Sequence, residues 1–296
     1  MNEKTHNTLE RPPWMRARVR CTPRADATQA RLRQHGVRTV CEAAGCPNLS
    51  SCWAEGHATF LILGGTCTRG CRFCNIEAGI PQPPDPAEPD RVASAVASAG
   101  LCHAVVTSVT RDDLPDGGAS HWAAVLGAVR GAAPGVTLEA LVPDFAGRAK
   151  DVSTVLDAAP EVFGHNLETV PRLYGEVRRG ADYNRSLNVL RMAAEAGLLV
   201  KTSLLLGLGE TEGELEKVFC DAREAGCRVL FLGQYLAPTF RHAAVREYVP
   251  PERFDALRDK ALAMGFDVVE AAPLVRSSLA SSAQARLLAG RKQGKK

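Results

Sequence analysis

From residue 58 onward, short apolar runs alternate with stretches whose apolar positions recur at helical spacing. The runs at 58–63, 102–109, 136–142, 161–166, 198–206 and 227–236 are predicted strands, and a shorter run at 266–270 is a candidate last strand. The segments 90–99, 120–131, 150–159, 183–196, 211–225 and 251–264 are predicted helices. Strands that are apolar throughout, rather than at alternate positions, are covered on both faces, and alternation with helices supplies that cover in a parallel sheet. Six such strand–helix units in sequence predict an α/β protein, a partial (β/α)6 TIM-like barrel, with a doubly wound open sheet as the alternative. A barrel of this kind gathers its chemistry at the C-terminal ends of its strands.

The pattern divides the chain into an N-terminal extension (1–57), a barrel core (58–265) and a C-terminal extension (266–296). Residues 1–30 are polar, Arg-rich and broken by proline, which predicts an extended arm, with a short helical piece beginning in 31–38. The stretch Gly45-Cys46-Pro47-Asn48-Leu49-Ser50-Ser51 predicts a loop, and 291–296 a disordered basic tail.

A length of 296 residues suits one large domain with appendages, and a hydrophobic content of 45% with 23% charged residues is ordinary for an enzyme. A net charge of +3 is too small to argue for nucleic acid. The most apolar run, 198–209, contains Lys201 and is too short to cross a bilayer, so no membrane association is expected. Glu3, Glu10, Pro12 and Pro13 give the N-terminus no signal- or transit-peptide character, and a cytoplasmic location is expected. Cysteines stay reduced there, so ten of them point to metal or catalysis rather than disulfides.

Six of those cysteines form two spaced triplets. Cys67, Cys71 and Cys74, with C-x3-C-x2-C spacing, follow the first predicted strand. Structural zinc wants four ligands in two separated pairs, and a fourth here would have to be His57, His103 or a remote residue. A [4Fe–4S] cluster with three cysteine ligands and one open iron fits the spacing better. Gly64, Gly65 and Gly70 let the backbone fold tightly there, and Phe73 is placed to shield one side. Cys41, Cys46 and Cys52 are looser, C-x4-C-x5-C; zinc or scattered thiols remain open for them, and His57 is the nearest further ligand by sequence. Cys21, Cys102, Cys220 and Cys227 stand apart, and the last three are expected to be small buried residues. Asn166 and Glu168 end a predicted strand, a position that favours a ligand role. Gly207 and Gly209 precede a predicted helix start at Thr211, where backbone approach by a ligand and an ordinary turn are both open. Asp112 and Asp113 either contact a ligand or order their loop, and His103 and His165 are expected to be satisfied core or rim residues. Arg178, Arg179, Lys201 and Arg276 are candidates for a basic rim.

C-x3-C-x2-C after the first strand of a βα barrel resembles the radical S-adenosylmethionine (SAM) superfamily. The resemblance implies a barrel of that superfamily's type and SAM bound at the open iron, with Asn166, Glu168, Gly207 and Gly209 as candidate SAM contacts. With C-x4-C-x5-C before it and Arg276-Ser277-Ser278-Leu279 near the C-terminus, the chain is similar to the lipoyl synthase family. That resemblance covers residues 41–278, including Arg111-Asp112-Asp113-Leu114, Leu141-Val142-Pro143-Asp144-Phe145 and Leu232-Gly233-Gln234-Tyr235-Leu236. It implies two [4Fe–4S] clusters, the auxiliary one held by Cys41, Cys46, Cys52 and a serine, Ser278 by position with Ser277 as fallback. Leu279 stands where the family has tyrosine. The implied activity is insertion of two sulfur atoms, taken from the auxiliary cluster, at C6 and C8 of a protein-bound octanoyl-lysine. The implied partners are octanoylated carrier domains (the glycine-cleavage H protein and 2-oxoacid dehydrogenase acyltransferase subunits), a flavodoxin- or ferredoxin-like electron donor, and an iron–sulfur carrier that restores the auxiliary cluster.

Overall fold

Parallel strands need cover on both faces, and the six residues of one strand here, Val229–Gln234, are all buried. The computed structural model describes residues 9–16 and 22–293; Cys21 and residues 294–296 lie outside them. The elements run α1 (Pro23–Gln34), α2 (Val40–Ala43), α3 (Leu49–Ala54), β1 (His57–Ile62), β2 (Thr66–Cys67), β3 (Glu77–Ala78), α4 (Glu88–Ser98) and β4 (His103–Ser108). There follow α5 (Ala119–Ala132), β5 (Thr137–Leu141), α6 (Ala149–Asp157), β6 (Val162–Gly164), α7 (Tyr174–Val177), α8 (Tyr183–Glu195) and β7 (Leu199–Leu206). Then come α9 (Glu212–Glu224), β8 (Val229–Gln234), α10 (Pro251–Ala263), β9 (Val268–Ala271) and α11 (Ser282–Gln293). The large sheet has the order β1-β4-β5-β6-β7-β8-β9, parallel throughout. The six expected strand–helix units are present, and the candidate strand at 266–270 is a seventh. β1 and β9 are the two edges and do not pair.

Three expectations for the ends of the chain are corrected. The arm expected over 1–30 contains α1, because Thr22 caps the backbone N–H of Ala25 and Pro23 occupies the first helical position, where a missing N–H costs nothing. The first-triplet region holds α2 and α3, and Gly45, Pro47 and Asn48 form the turn between them. The tail's first residues, including Arg291, belong to α11, and Arg291 donates to the Gly197 carbonyl.

Strand parity divides the interior in two. Residues such as Val200, Leu204, Leu206, Leu230 and Leu232 pack outward against the helices. The opposite face points into the lumen, where Val162, Leu199, Val229, Phe231 and Val268 form a smaller apolar cluster with Val275 and with Leu288 of α11. The same layer buries charge. Lys201 Nζ lies 3.0 Å from Glu139 Oε1 and 4.0 Å from the Phe231 ring centre, while His103 and Gln284 of α11 also meet Glu139. Lys201, expected as part of a basic rim, is instead the buried partner of a carboxylate. Burial alone would raise the Glu139 pKa, but Lys201 and His103 bring it down to about 2. Lys201 is itself pushed down by burial. α11 thus closes the N-terminal end of the barrel with a polar layer and an apolar plug, and leaves the C-terminal end open.

Glu139 has a depressed pKa, so its contribution to stability is full above the ordinary carboxylate value and lost only as pH falls towards about 2. Removing its partner is therefore costly at neutral pH. Lys201→Met is expected to lower the unfolding free energy by about 3–5 kcal/mol, and Lys201→Met with Glu139→Met to recover most of that loss. Urea titration of the three proteins measures both.

Candidate functional site

The chain leaves β1 through Leu63, whose φ is 66°, and enters the loop that carries Cys67, Cys71 and Cys74 at the C-terminal end of the strand. β2 and β3 form a two-strand parallel ribbon at the base of this loop. Arg69, between Cys67 and Cys71, donates to Asp112 at 2.7 and 2.8 Å and pairs with the buried Asp144 at 2.8 Å. Asp144, also held by Arg185, is brought down to about 2, Arg69 outweighing the opposing effect of burial. The loop is thereby tied to the ends of β4 and β5. Arg72 N donates to the Val177 carbonyl and Ala243 N to the Arg72 carbonyl, which ties it to the far side of the barrel as well.

Backbone N–H groups point at two of these sulfurs. Arg69 N and Thr110 N lie 3.4 and 3.3 Å from Cys67 Sγ, and Ile76 N lies 3.5 Å from Cys74 Sγ. Burial pushes Cys71 up to about 11 and Cys74 up to about 12. Both are neutral thiols at neutral pH. The three cysteines border a cavity of about 280 Å³ shared with Asn166, Glu168 and Phe73.

Asn166 donates to Glu168 Oε1 at 3.0 Å, but its own Oδ1 is buried with no partner among the described residues. Glu168 has a φ of 65°, and its backbone is bonded on both sides to β7, through Ser203 O and Leu205 N. Burial pushes its carboxyl up, against the pull of Arg178. An L residue held at positive φ by its neighbours is strained backbone of the kind found where side-chain aim matters. Arg178 lines the same cavity and is held inward: it donates to Tyr174 Oη and Ser186 Oγ, and to the Nε2 of His165. His165, pushed down to about 4 by burial and by Arg178, is a neutral ring whose Nδ1 faces the Val142 carbonyl, the satisfied core residue expected.

The first triplet rests on the short helices. Cys41 lies on α2, Cys52 on α3, and Cys46 in the turn between them, where its N–H donates to the Cys41 carbonyl. Burial pushes Cys41 up and Cys52 up to about 11, and the Ala280 N–H partly offsets the latter. The three thiols surround a narrow hollow of about 10 Å³, bordered also by Asn48, His57 and Ser278. Cys41, Cys46 and Ser278 border a second, adjoining cavity of about 260 Å³. Ser277 borders the two large cavities but not the hollow. Leu279 borders the hollow and packs against the luminal cluster. Among the described residues, no three His, Cys, Asp or Glu side chains converge closely enough for a single metal ion.

Several expected residues do other work. Gly207 and Gly209 border none of these cavities. The N–H groups of Gly207 and Leu208 are taken by the Glu210 carboxylate, and Gly209 O accepts from Arg172. Asp112 and Asp113 order loops, Asp112 through Arg69 and Asp113 through Arg111, which donates to the Leu63 carbonyl. Arg276 is largely buried and donates to the Val275 carbonyl, so of the four basic-rim candidates only Arg179 is exposed. Cys227 is buried, but Cys102 and Cys220 are exposed, Cys102 in the bend before β4 and Cys220 on the outer side of α9. Among the described residues no helix is long and apolar enough to cross a membrane. Sequence reasoning had assigned no role to Arg69, Asp144 or Asn48. Their signal was position alone: between two cysteines, at a strand end, and within the first triplet.

A family model of the Radical SAM superfamily matches residues 61–222. Lipoyl synthase of Geobacter metallireducens is 50% identical over 273 residues, covering 91% of this chain and 95% of its own length. That of Trichlorobacter lovleyi is 52% identical over 271 residues, covering 90% and 96%. Among solved structures, Streptococcus suis SuiB bound to S-adenosylmethionine aligns with a TM-score of 0.59 at 11% identity over 80% of this chain and 57% of that one, and methylornithine synthase (PylB) with 0.54 at 12% over 89% and 82%. At such identities the solved structures speak for the barrel alone, whereas the sequence relatives span nearly the whole molecule. The chain belongs to the lipoyl synthase family of the radical SAM superfamily.

Proposed function

We propose that this enzyme inserts two sulfur atoms, at C6 and C8, into an octanoyl chain amide-linked to a lysine of a carrier domain, using SAM and two [4Fe–4S] clusters. One observation carries the reading. The cavity beside Cys67, Cys71 and Cys74 and the cavity beside Cys41 and Cys46 share Phe73, Asn166, Glu168, Ser277 and Ser278 as common walls. A substrate chain lying between the two thiol sets touches both.

The donor types suit the groups assigned to them, three thiols for each cluster and a serine hydroxyl beside the first set. Cys67, Cys71 and Cys74 would hold the SAM-binding cluster, with N–H donors already aimed at two of the sulfurs. Cys41, Cys46, Cys52 and Ser278 would hold the auxiliary cluster, since Ser278, unlike Ser277, borders the hollow among those thiols. His57 borders it too, but its ring is stacked on His103 with centres 5.3 Å apart. When bound, these groups supply one-electron cleavage of SAM, hydrogen abstraction from unactivated carbon, and sulfide. The chain's own contribution is placement. The free Asn166 Oδ1 accepts a hydrogen bond from an ammonium or hydroxyl donor of SAM, and Glu168 beside it offers a carboxylate to the same group. Phe73 walls both cavities and sets an apolar ring between them. Glycine-cleavage H protein and 2-oxoacid dehydrogenase acyltransferase subunits are the proposed carriers, with a flavodoxin- or ferredoxin-like donor, an iron–sulfur carrier for repair, and a cytoplasmic setting.

The decisive assay incubates reduced, reconstituted protein with SAM and an octanoyl-lysine peptide; 5′-deoxyadenosine and a peptide heavier by two sulfurs are expected, and an unmodified peptide refutes the reading. Cys71→Ala is expected to abolish 5′-deoxyadenosine formation while one cluster remains by iron analysis. Cys46→Ala is expected to form 5′-deoxyadenosine yet leave the peptide without sulfur, and lipoyl product from that variant removes the auxiliary cluster as donor.

A further inference from the structure

The segment that carries Ser278 does not continue the sheet. After β9 ends at Ala271, Ala272 N donates to Leu232 O and Gln234 N to Pro273 O, and the chain then turns into the lumen. Val275 packs there against Val229, Phe231 and Leu288. Its carbonyl faces β8 at Gly233, which pairs with the cavity-lining Leu205. A Cβ at Gly233 would lie 2.0 Å from Val275 O and 3.0 Å from Val275 C. Both are backbone atoms, so neither can swing aside. Gly233 has no positive φ, so its strand conformation is open to any residue, and the approaching carbonyl is what demands glycine. Arg276 Nη1 caps the same carbonyl at 2.7 Å. From the other side, Asn48 Nδ2 donates to the Leu274 carbonyl at 2.7 Å, across 226 residues of sequence. Asn48 stands between Cys46 and Cys52 and borders their hollow.

We propose that Gly233 and Asn48 are positioning residues: together they seat residues 274–275 so that Ser278 meets the hollow among Cys41, Cys46 and Cys52. The inference rests on the reading of Ser278 as the residue that completes that site. Gly233 sets how deeply the segment enters the lumen, and Asn48 ties the segment to the thiol-bearing turn.

The test compares reconstituted wild-type protein with Gly233→Ala, Asn48→Ala, Asn48→Asp and Ser278→Ala. The readouts are iron retained against a chelator, the Mössbauer spectrum of the auxiliary cluster, and 5′-deoxyadenosine formation. Gly233→Ala and both Asn48 variants are expected to lose auxiliary-cluster iron about 10- to 100-fold faster than wild type, with the Mössbauer change seen in Ser278→Ala, while forming 5′-deoxyadenosine at the wild-type rate. Aspartate keeps the shape of asparagine but accepts where asparagine donates, so Asn48→Asp follows Asn48→Ala if the bond to Leu274 matters, and wild type if Asn48 only fills space. Wild-type retention and spectra in Gly233→Ala and Asn48→Asp, with loss in Ser278→Ala, overturn the positioning role alone. Wild-type behaviour of Ser278→Ala overturns the ligand reading beneath it. If Gly233→Ala also loses 5′-deoxyadenosine formation, its fold is compromised and Asn48→Asp decides.

Discussion

The sheet does not close on itself, and the rest of the molecule is arranged around that gap. β1 and β9 are both free edges of a parallel sheet, and an uncovered edge presents a row of unpaired backbone groups. The chain covers the β1 side with its own N-terminal stretch: Leu61 N donates to Arg38 O, and Thr39 bridges Phe60 in antiparallel fashion. The next residues are α2, Cys46 and α3. On the other side the segment after β9 turns inward rather than extending the sheet. The two stretches meet through Asn48 and Leu274, and Leu279 borders the same hollow as Cys52. Covering the β1 edge and assembling the first thiol set are therefore one structural event, tied by Asn48 to a residue more than 200 positions away.

The lumen is built in two levels, and the division follows from where charge can be buried. At the N-terminal end, Lys201, His103 and Gln284 Nε2 all meet the Glu139 carboxylate beside the apolar plug of α11, where a lone charge would be untenable. Above that floor the lumen-facing residues are Thr59, Leu61, Thr107, Leu141, Ser203 and Leu205, which leave space instead of filling it. His57 connects the levels: it stacks on His103 of the floor and borders the hollow of the first triplet. Burial, and then the neighbouring His103, push its pKa down to about 4, so the stacked ring stays neutral at neutral pH.

The strands and the main helices were legible because a doubly covered strand must be apolar throughout and a covering helix must be apolar on one side. The ends of the chain were not. The prolines of 1–30 predict an extended arm, although a capping side chain followed by proline, as in Thr22-Pro23, is also how a helix begins. Charged residues misled in a consistent way. Lys201 and Arg178 read as surface because single positions carry no depth: the partner of Lys201, Glu139, lies 62 residues away, and Arg178 finds Tyr174, Ser186 and His165 nearby in sequence only because the chain folds back there. The six cysteines were legible because their spacing is local, and the three thiols of each set do border a common space. Asn48 was invisible for the opposite reason, its partner being a backbone carbonyl 226 residues away.

The glycines show where one sequence stops being informative. A glycine at a strand end announces that something comes close, but not what. In the sequence, Gly207 and Gly209 leave approach by a ligand and an ordinary turn both open. At Gly207 the approaching groups are the Gln234 side chain and the Glu247 carbonyl, each 2.3 Å from where a Cβ would stand. Gln234 in turn donates to the carbonyls of Leu206, Tyr235 and Glu247 and accepts from Val249 N, so this glycine serves to lock the ends of β7 and β8. Gly233, one residue before that glutamine, was given no role, yet it admits the segment that brings Ser278 to the thiols. The difference lies in what each glycine's missing side chain makes room for, which is a property of the fold and not of the residue type. A motif of glycine beside a strand end therefore reports a backbone constraint first, and a ligand only when the space beside it is otherwise unfilled.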